Sequence, residues 1–386
     1  MPASMNILFC NYEYPPLGGG GGVVMAALAR ELARRHSVTV LTSRALGLPA
    51  EELDEGVRVV RVPVFFRREK AVANLPSMLA YLPMGALGAR RLRARFDVIN
   101  THFAVPTGPL GDWLARRFEI PNVLSVHGGD LYDPSKRLSP HRIRLLRGPI
   151  RKLLLRADAL VGQSRNTLQN VHDIYGVRRD STLIPLGIER PPRVEGERAA
   201  FGLPGGTFVM VTVGRVVARK ATPQLVQALK AMDRPDAHLL VVGDGPESER
   251  LRAAADAAGL ADRVHLLGQV SEERKYQALS IADVFVSASQ HEGFGLVFLE
   301  AMAHGLPVVC YDHGGQTDFL SAATGALIPL NDLERLTQAL VGLHDDPGGR
   351  ERVSRHNRRV IEDYFIDKCA QRYETLFAAV VRNRRS

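Results

Sequence analysis

Three cysteines in 386 residues are too few to staple a fold. Cys10, Cys310 and Cys369 are odd in number, with no C-x-x-C and no Cys/His ligand spacing, so reduced cytosolic thiols and no zinc are expected. No apolar run reaches the roughly 20 residues of a membrane-spanning helix. Residues Met1 to Cys10 carry no basic start and too short an apolar run for a signal peptide, and read as a first β-strand. No Asp-x-Asp with a metal role is visible, and no repeat of solenoid period. The glycine run Gly18 to Gly22 fails the dinucleotide fingerprint. Whichever glycine opens G-x-G-x-x-G/A, its last position is Val23, Val24 or Met25, and the strand Ser37–Ser43 is followed by Arg44, not by an acid for a ribose.

What is present is a chain comfortable for two α/β domains. Net charge is +9, unevenly placed: residues 1–190 carry 27 Lys+Arg against 16 Asp+Glu, and the rest 23 against 25. The basic half is expected to meet something acidic: a membrane surface, a phosphorylated acceptor or nucleic acid. Basic clusters lie at Arg67-Arg68 and Arg90–Arg95. The segment His141–Arg156 holds six Lys/Arg and no acid, with Arg144, Arg147 and Arg151 at helical spacing. It is either a basic amphipathic face for anionic lipid or a core-packed helix with a solvated side. Nucleic acid is the weaker partner, because no recognised module is present and aromatics do not interleave with the charges.

The most informative stretch runs from Val284 to Cys310. It reads as strand, loop, helix (Leu296 to His304) and strand, with Gly305 and Pro307 ending the helix. Two buried strands around a helix make a parallel βαβ unit, whose ligands bind beyond the carboxyl ends of the strands. Glu292 falls there. Glu300 sits among Phe298, Leu299, Ala301, Met302 and Ala303, where a carboxylate is costly unless something polar meets it. The amides near Gly295 and Leu296 suit an anion. A phosphate on the helix start and a ribose diol on Glu300 would satisfy both, which describes a nucleotide; a capping Glu292 and a half-exposed Glu300 is the plain alternative.

Other positions bear on this. Five glycines between the first strand and a helix from Val23 to Arg35 suggest backbone, Gly21 and Gly22 included, laid against a phosphate or sugar, or else a tight turn. His127 closes a strand before Gly-Gly-Asp130. It is suited to donate a hydrogen bond into a cleft, with Asp130 orienting it or binding sugar hydroxyls; a capping histidine is the plain reading. Phe208–Arg215 is a strand ending in Gly-Arg, and Lys220 follows five residues later at a helix start. Two cations at such a junction can clamp a diphosphate. Between the halves, residues 188–197 are polar, Pro-containing and aperiodic, as a linker should be. Domains at 1–187 and 198–367 are therefore expected.

Glu292 and Glu300 separated by seven residues, with Gly-Phe-Gly after the first, resemble the signature of family 4 of the retaining glycosyltransferases (glycosyl transferases group 1). The glycine loop, His127 and Arg215/Lys220 fall in the right order, so the resemblance spans nearly the whole chain. One departure is Ala221, where the family usually has glycine. The resemblance implies the GT-B fold: two Rossmann-like domains facing an interdomain cleft, with a C-terminal helix (368–386) crossing back to the first domain. It implies a hexosyl unit moved with retention from a UDP- or GDP-sugar to a hydroxyl acceptor, whether a glycan, lipid-linked or other, in envelope polysaccharide, glycolipid or glycoconjugate synthesis. Catalysis would rest on His127, Glu292, Arg215 and Lys220. The donor would lie against Gly21, Gly22, Asp130, Arg215, Lys220, Phe294, Gly295, Leu296 and Glu300. Neither metal nor cofactor is expected. The protein would be cytoplasmic, peripheral on the inner membrane face if its basic surface binds lipid. The alternatives are a catalytically idle nucleotide-sugar-binding protein, a nucleotide-sugar epimerase, and a phosphorylase, which would need a Schiff-base lysine and usually a longer chain.

Overall fold

The computed structural model describes residues 4–67, 69–70, 73–92, 94–134 and 138–385, with residue 385 described for its backbone only. Met1, Arg68 and Arg93, named above, and position 386 of the expected C-terminal helix lie outside the described residues. The chain forms two compact units, Met1–Glu189 with Tyr364–Ser386, and Arg190–Asp363.

In the first unit the strands are β1 (Asn6–Cys10), β2 (Ser37–Arg44), β3 (Glu51–Asp54), β4 (Val57–Pro63), β5 (Val98–His102), β6 (Asn122–Val126), β7 (Ala159–Gly162) and β8 (Thr182–Leu183). They line up as β3-β4-β2-β1-β5-β6-β7-β8, parallel except for the β3–β4 pair. β5 and β6 are buried at every position, as expected of strands covered by helices on both faces. The period of two sorts β1 cleanly. Ile7 and Phe9 enter one core with Met25, Leu28 and Leu32 of the helix Gly20–Ala33, while Leu8 and Cys10 enter the other with Leu41, Tyr81 and Leu114.

The second unit contains β9 (Phe208–Val213), β10 (Ala237–Val242), β11 (Val264–Leu266), β12 (Val284–Ser287), β13 (Val308–Tyr311) and β14 (Gly325–Ile328). Their order is β11-β10-β9-β12-β13-β14, all parallel. Each sheet reverses its winding once, between β1 and β5 in the first unit and between β9 and β12 in the second. At such points the connecting helices leave for opposite faces, and a crevice opens beyond the strand ends. The glycine run follows β1 and Phe103 follows β5. Arg215 and Lys220 follow β9, and Glu292 follows β12. The topology alone gathers the candidate residues at these two places.

The C-terminal helix, Ile366–Arg385, belongs to the first unit. Cys369, Tyr373 and Phe377, spaced by four, enter the core beside the helix Gly20–Ala33. Glu374 on the same helix accepts from Arg35 Nε at 2.7 Å and meets His36 Nε2 at 2.9 Å.

Three details differ from the sequence reading. The first helix begins at Gly20, not Val23, because the Glu13 carboxylate accepts the Gly19 N–H at 3.2 Å and lets glycines form the first turn. β3 was not expected: Glu-Glu-Leu-Asp lacks apolar alternation, and the strand is held at the sheet edge by pairing with β4 and by Glu52 on Arg61 at 2.6 Å. The run Val264–Val270 reads in sequence as one strand, but β11 stops at Leu266, with Gly268 at φ +67° behind it.

Phe377 is fully buried. Phe377→Ala is expected to destabilise the first unit by about 3–5 kcal/mol through lost burial and an unfilled cavity; chemical denaturation followed by circular dichroism measures it.

Candidate active site

In the second unit, β9 runs out into Gly214, at φ +136°, and Arg215. A single turn of 3-10 helix, Ala218–Lys220, then leads into the helix Pro223–Met232. Ala221 ends that turn in the left-handed region, at φ +44° and ψ +34°. Glycine adopts this conformation without steric cost and alanine does not, which accounts for the glycine the family usually has here and leaves Ala221 in a conformation an L side chain disfavours. Arg215 is exposed. Lys220 is not: its Nζ donates to Glu292 Oε1, and the Glu292 carboxylate is nearly buried.

Arg219, which the sequence reading passed over, completes the arrangement. Its guanidinium donates to His291 O at 3.0 Å and lies 3.5 Å from Glu292 Oε2, while its own carbonyl accepts the Gln290 N–H at 2.7 Å. The turn after β9 and the loop after β12 are thereby tied together. Behind the loop, the Gly315 N–H donates to Glu292 O at 2.9 Å, and a Cβ on Gly315 would stand 1.9 Å from Gly293 O. Only glycine fits so close. Burial opposes the charge on Glu292, yet Lys220 and Arg219 outweigh it and hold the carboxyl below its ordinary value. Expected among the catalytic residues, Glu292 is here the partner of the lysine expected to clamp a diphosphate.

Gly295, at φ +90°, opens the helix Leu296–Ala303. The Phe298 N–H donates back to Gly295 O at 3.1 Å, while the N–H groups of Leu296 and Val297 have no acceptor within the helix. The Phe294 ring is buried against Phe319, 5.0 Å between centroids, so only its backbone is available to a ligand. One turn on, Glu300 Oε1 accepts from Lys275 Nζ at 2.8 Å, and Lys275 also reaches Glu272 at 2.7 Å. Lys275, on the helix Glu272–Ser280, lies 4.5 Å above the Tyr276 ring. Glu300 Oε2 is buried without a partner. Burial outweighs the lysine, and the Glu300 carboxyl stands above its ordinary value. Lys275 was invisible in sequence because it lies 25 residues away on another helix.

In the first unit the glycine run is explained largely by packing. A Cβ on Gly21 would stand 2.5 Å from the Phe103 ring, and one on Gly22 would crowd Glu13 and the Leu17 backbone, whereas Gly19 faces open space. Phe103 stacks on His127 at 4.3 Å, and Gly21 abuts the tip of the same ring. His127 Nε2 meets His102 Nδ1 at 2.8 Å, and His127 Nδ1 is buried without a partner. Burial pushes the His127 imidazole down to about 3. Asp130 requires a correction. Its oxygens accept the Ala104 N–H at 2.6 Å and the His127 N–H at 2.9 Å, and both point into protein. It fixes the backbone carrying His127 and orients it by that route, so it is not placed to bind sugar hydroxyls. Burial nevertheless raises its carboxyl to about 6, against these and the Gly128 and Asp130 backbone N–H groups.

Among the described residues, no group of three or more His, Cys, Asp or Glu side chains is arranged to hold a metal.

With this geometry in hand, comparison with known proteins gives a consistent answer. The model of Glycosyltransferase Family 4 matches residues 18–190, and that of Glycosyl transferases group 1 matches residues 194–360. The chain is 32% identical to the 2-deoxystreptamine N-acetyl-D-glucosaminyltransferase of Streptomyces fradiae, over 83% of this chain and 81% of that one. It is 30% identical to a GDP-mannose-dependent alpha-(1-6)-phosphatidylinositol monomannoside mannosyltransferase of Mycolicibacterium smegmatis, over 88% and 90%. Among solved structures, sucrose-phosphate synthase from Thermosynechococcus elongatus aligns with a TM-score of 0.80 and 25% identity, covering 97% of this chain and all of the other.

Because Glu292 is held ionised, its charge stabilises the fold above the ordinary carboxyl value of 4.5, and that contribution is lost as pH falls through the lower folded value. Lys220→Met leaves a buried carboxylate with Arg219 alone and is expected to cost about 3 kcal/mol at neutral pH. The gap between wild type and variant should close in acid. Urea midpoints at several pH values measure it; a gap independent of pH would break this account.

Proposed function

The chain belongs to family 4 of the GT-B glycosyltransferases, a hexosyltransferase by that membership, and from this premise we propose that it acts with retention, without a metal, on a nucleoside diphosphate sugar and a hydroxyl acceptor. One observation carries the donor assignment: a buried carboxylate oxygen, Glu300 Oε2, has no partner, while Lys275 holds its twin. A cis-diol donates two hydroxyls to such a group, and the ribose of a nucleotide supplies one. The diphosphate then lies toward the first turn of the helix Leu296–Ala303 and the cations Arg215, Arg219 and Lys220, which stabilise charge growing on the leaving group where a metal might otherwise serve.

In the proposed step the bond from the sugar C1 to the diphosphate oxygen breaks, and the acceptor oxygen bonds to C1 on the same face. The acceptor proton passes to the departing diphosphate. Glu292 and the Phe294 and Gly295 backbone take sugar hydroxyls, and in the first unit His127 is assigned to a substrate hydroxyl. Relatives with donors as different as GDP-mannose and an N-acetylglucosaminyl donor leave the sugar and base of this chain to experiment.

The acceptor side is read from the helix Arg144–Arg156. Ile150 and Leu154 face the core, while Arg144, Arg147, Arg151 and Lys152 are exposed together with Leu145, 87% accessible. Exposed leucine among arginines, with no acid on the helix, suits an anionic lipid surface bearing the acceptor. No helix among the described residues is long and apolar enough to cross a membrane.

A thermal-shift panel of nucleoside diphosphates is the first test. One base should stabilise the wild type, by roughly 2.7 kcal/mol at a hundred times its dissociation constant. Glu300→Gln should lose most of that shift, and the 2′-deoxy form should bind the wild type more weakly. With the matching sugar, NMR of the product should show the donor's anomeric configuration kept, and EDTA should not slow turnover; inversion would defeat the mechanism. Co-sedimentation should show binding to vesicles containing phosphatidylserine that weakens with salt and is lost when Arg144, Arg147, Arg151 and Lys152 become serine. Binding unchanged by that substitution would remove the membrane assignment.

A further inference from the structure

His102 is buried at the end of β5, beside a residue the proposed reading assigns to the sugar. A chain of hydrogen bonds runs inward from His127 through His102 and Asn100 to Ser125 and Tyr373, and one end of it has a fixed polarity. The Asn100 Nδ2 group lies 2.9 Å from the Val123 backbone carbonyl, which can only accept. Nδ2 is therefore correctly placed as the donor, and it also donates to Ser125 Oγ at 2.9 Å. Asn100 Oδ1 is left facing His102 Nε2 at 2.8 Å, so that nitrogen carries a hydrogen. A neutral imidazole has one N–H, so His102 Nδ1 is bare, and burial keeps His102 neutral by depressing its basicity. The His127 Nε2 that meets this bare nitrogen at 2.8 Å must be the donor. His127 Nδ1 is then a lone pair, buried and unpartnered.

We propose that His102 is a positioning residue that holds His127 as the tautomer with hydrogen on Nε2 and a bare Nδ1, so that His127 receives a hydroxyl hydrogen from substrate and does not contact a phosphate oxygen. This reverses the sequence expectation that His127 donates into the site. It rests on the proposed transferase reading for the identity of the substrate, but not for the tautomer. The Nδ1 lone pair and those of a phosphate oxygen would repel; a sugar hydroxyl has the hydrogen this nitrogen lacks. The inner end of the chain is anchored on the C-terminal helix, where Tyr373 OH lies 2.9 Å from Ser125 Oγ and accepts from Gln163 Nε2 at 3.3 Å. The helix that returns to the first unit thus helps fix which nitrogen of His127 is bare.

The test is nitrogen NMR of histidine-labelled full-length protein, with His127→Gln to assign the signals. The wild type should show His127 neutral at neutral pH, with Nε2 protonated and Nδ1 not. His102→Asn keeps an acceptor oxygen near the Nδ1 position, and His102→Leu removes it. The leucine variant should show mixed His127 tautomers and a kcat lowered ~10-fold or more, with nucleoside diphosphate affinity unchanged; the asparagine variant should recover most of the loss. A wild-type His127 protonated on Nδ1, or equal losses in the two variants, would overturn the proposal. If the wild type binds no nucleoside diphosphate, the transferase reading falls while the NMR result still decides the tautomer.

Discussion

Glu292 is a carboxylate removed from water, and it stays ionised because Lys220 and Arg219 reach it from the far side of the switch point in the second sheet. The positions of several neighbours follow from this. Arg219 must bring its guanidinium to the loop after β12, so the turn after β9 has to be tight, and Ala221 accepts a left-handed conformation to make it so. The loop must press against the next strand end, so Gly315 carries no side chain. A buried charge without such partners would be protonated or would unfold its surroundings.

The architecture was the most legible part of the sequence. Fully buried parallel strands read as short apolar runs, and their alternation with helices left little choice of topology once right-handed crossovers are assumed. Glu292, Glu300, Arg215 and Lys220 stood out because each lies beside a strand end or breaks an apolar pattern. What could not be read was pairing. Lys275 looks like any lysine on a polar helix, and only folding brings it to Glu300. Arg219 was overshadowed by Lys220 beside it. His102 ends a strand as His127 does, but nothing in the sequence tells which of two histidines supports the other; that required the Val123 carbonyl to fix the amide of Asn100. Asp130 was noticed for its chemistry, yet backbone N–H groups claimed it.

The glycine run shows how composition misleads. Five consecutive glycines suggest a ligand cradle, yet Gly21 is demanded by the Phe103 ring. The same ring stacks on His127. Packing and site are therefore not rival explanations here: a side chain at Gly21 would displace Phe103 and, through it, the imidazole.

The two glutamates of the opening motif stand in opposite electrostatic states, and this separates their roles on the proposed reading. Glu292 has two cations and is held below the ordinary carboxyl value, while Glu300 has one and is pushed above it by burial. A diphosphate brings more negative charge than Glu292 carries, so it competes for Lys220 and Arg219. As it takes them, Glu292 loses the partners that hold it and gains a reason to seek hydroxyl donors, which a sugar bound next to that diphosphate supplies. Glu300 meets no such competitor, because Lys275 lies on another helix and already serves Oε1. Its unpartnered Oε2 is fixed before any ligand arrives. On the proposed reading, one carboxylate is thus pre-set for a ribose, and the other is released toward the sugar by the phosphate that takes its cations.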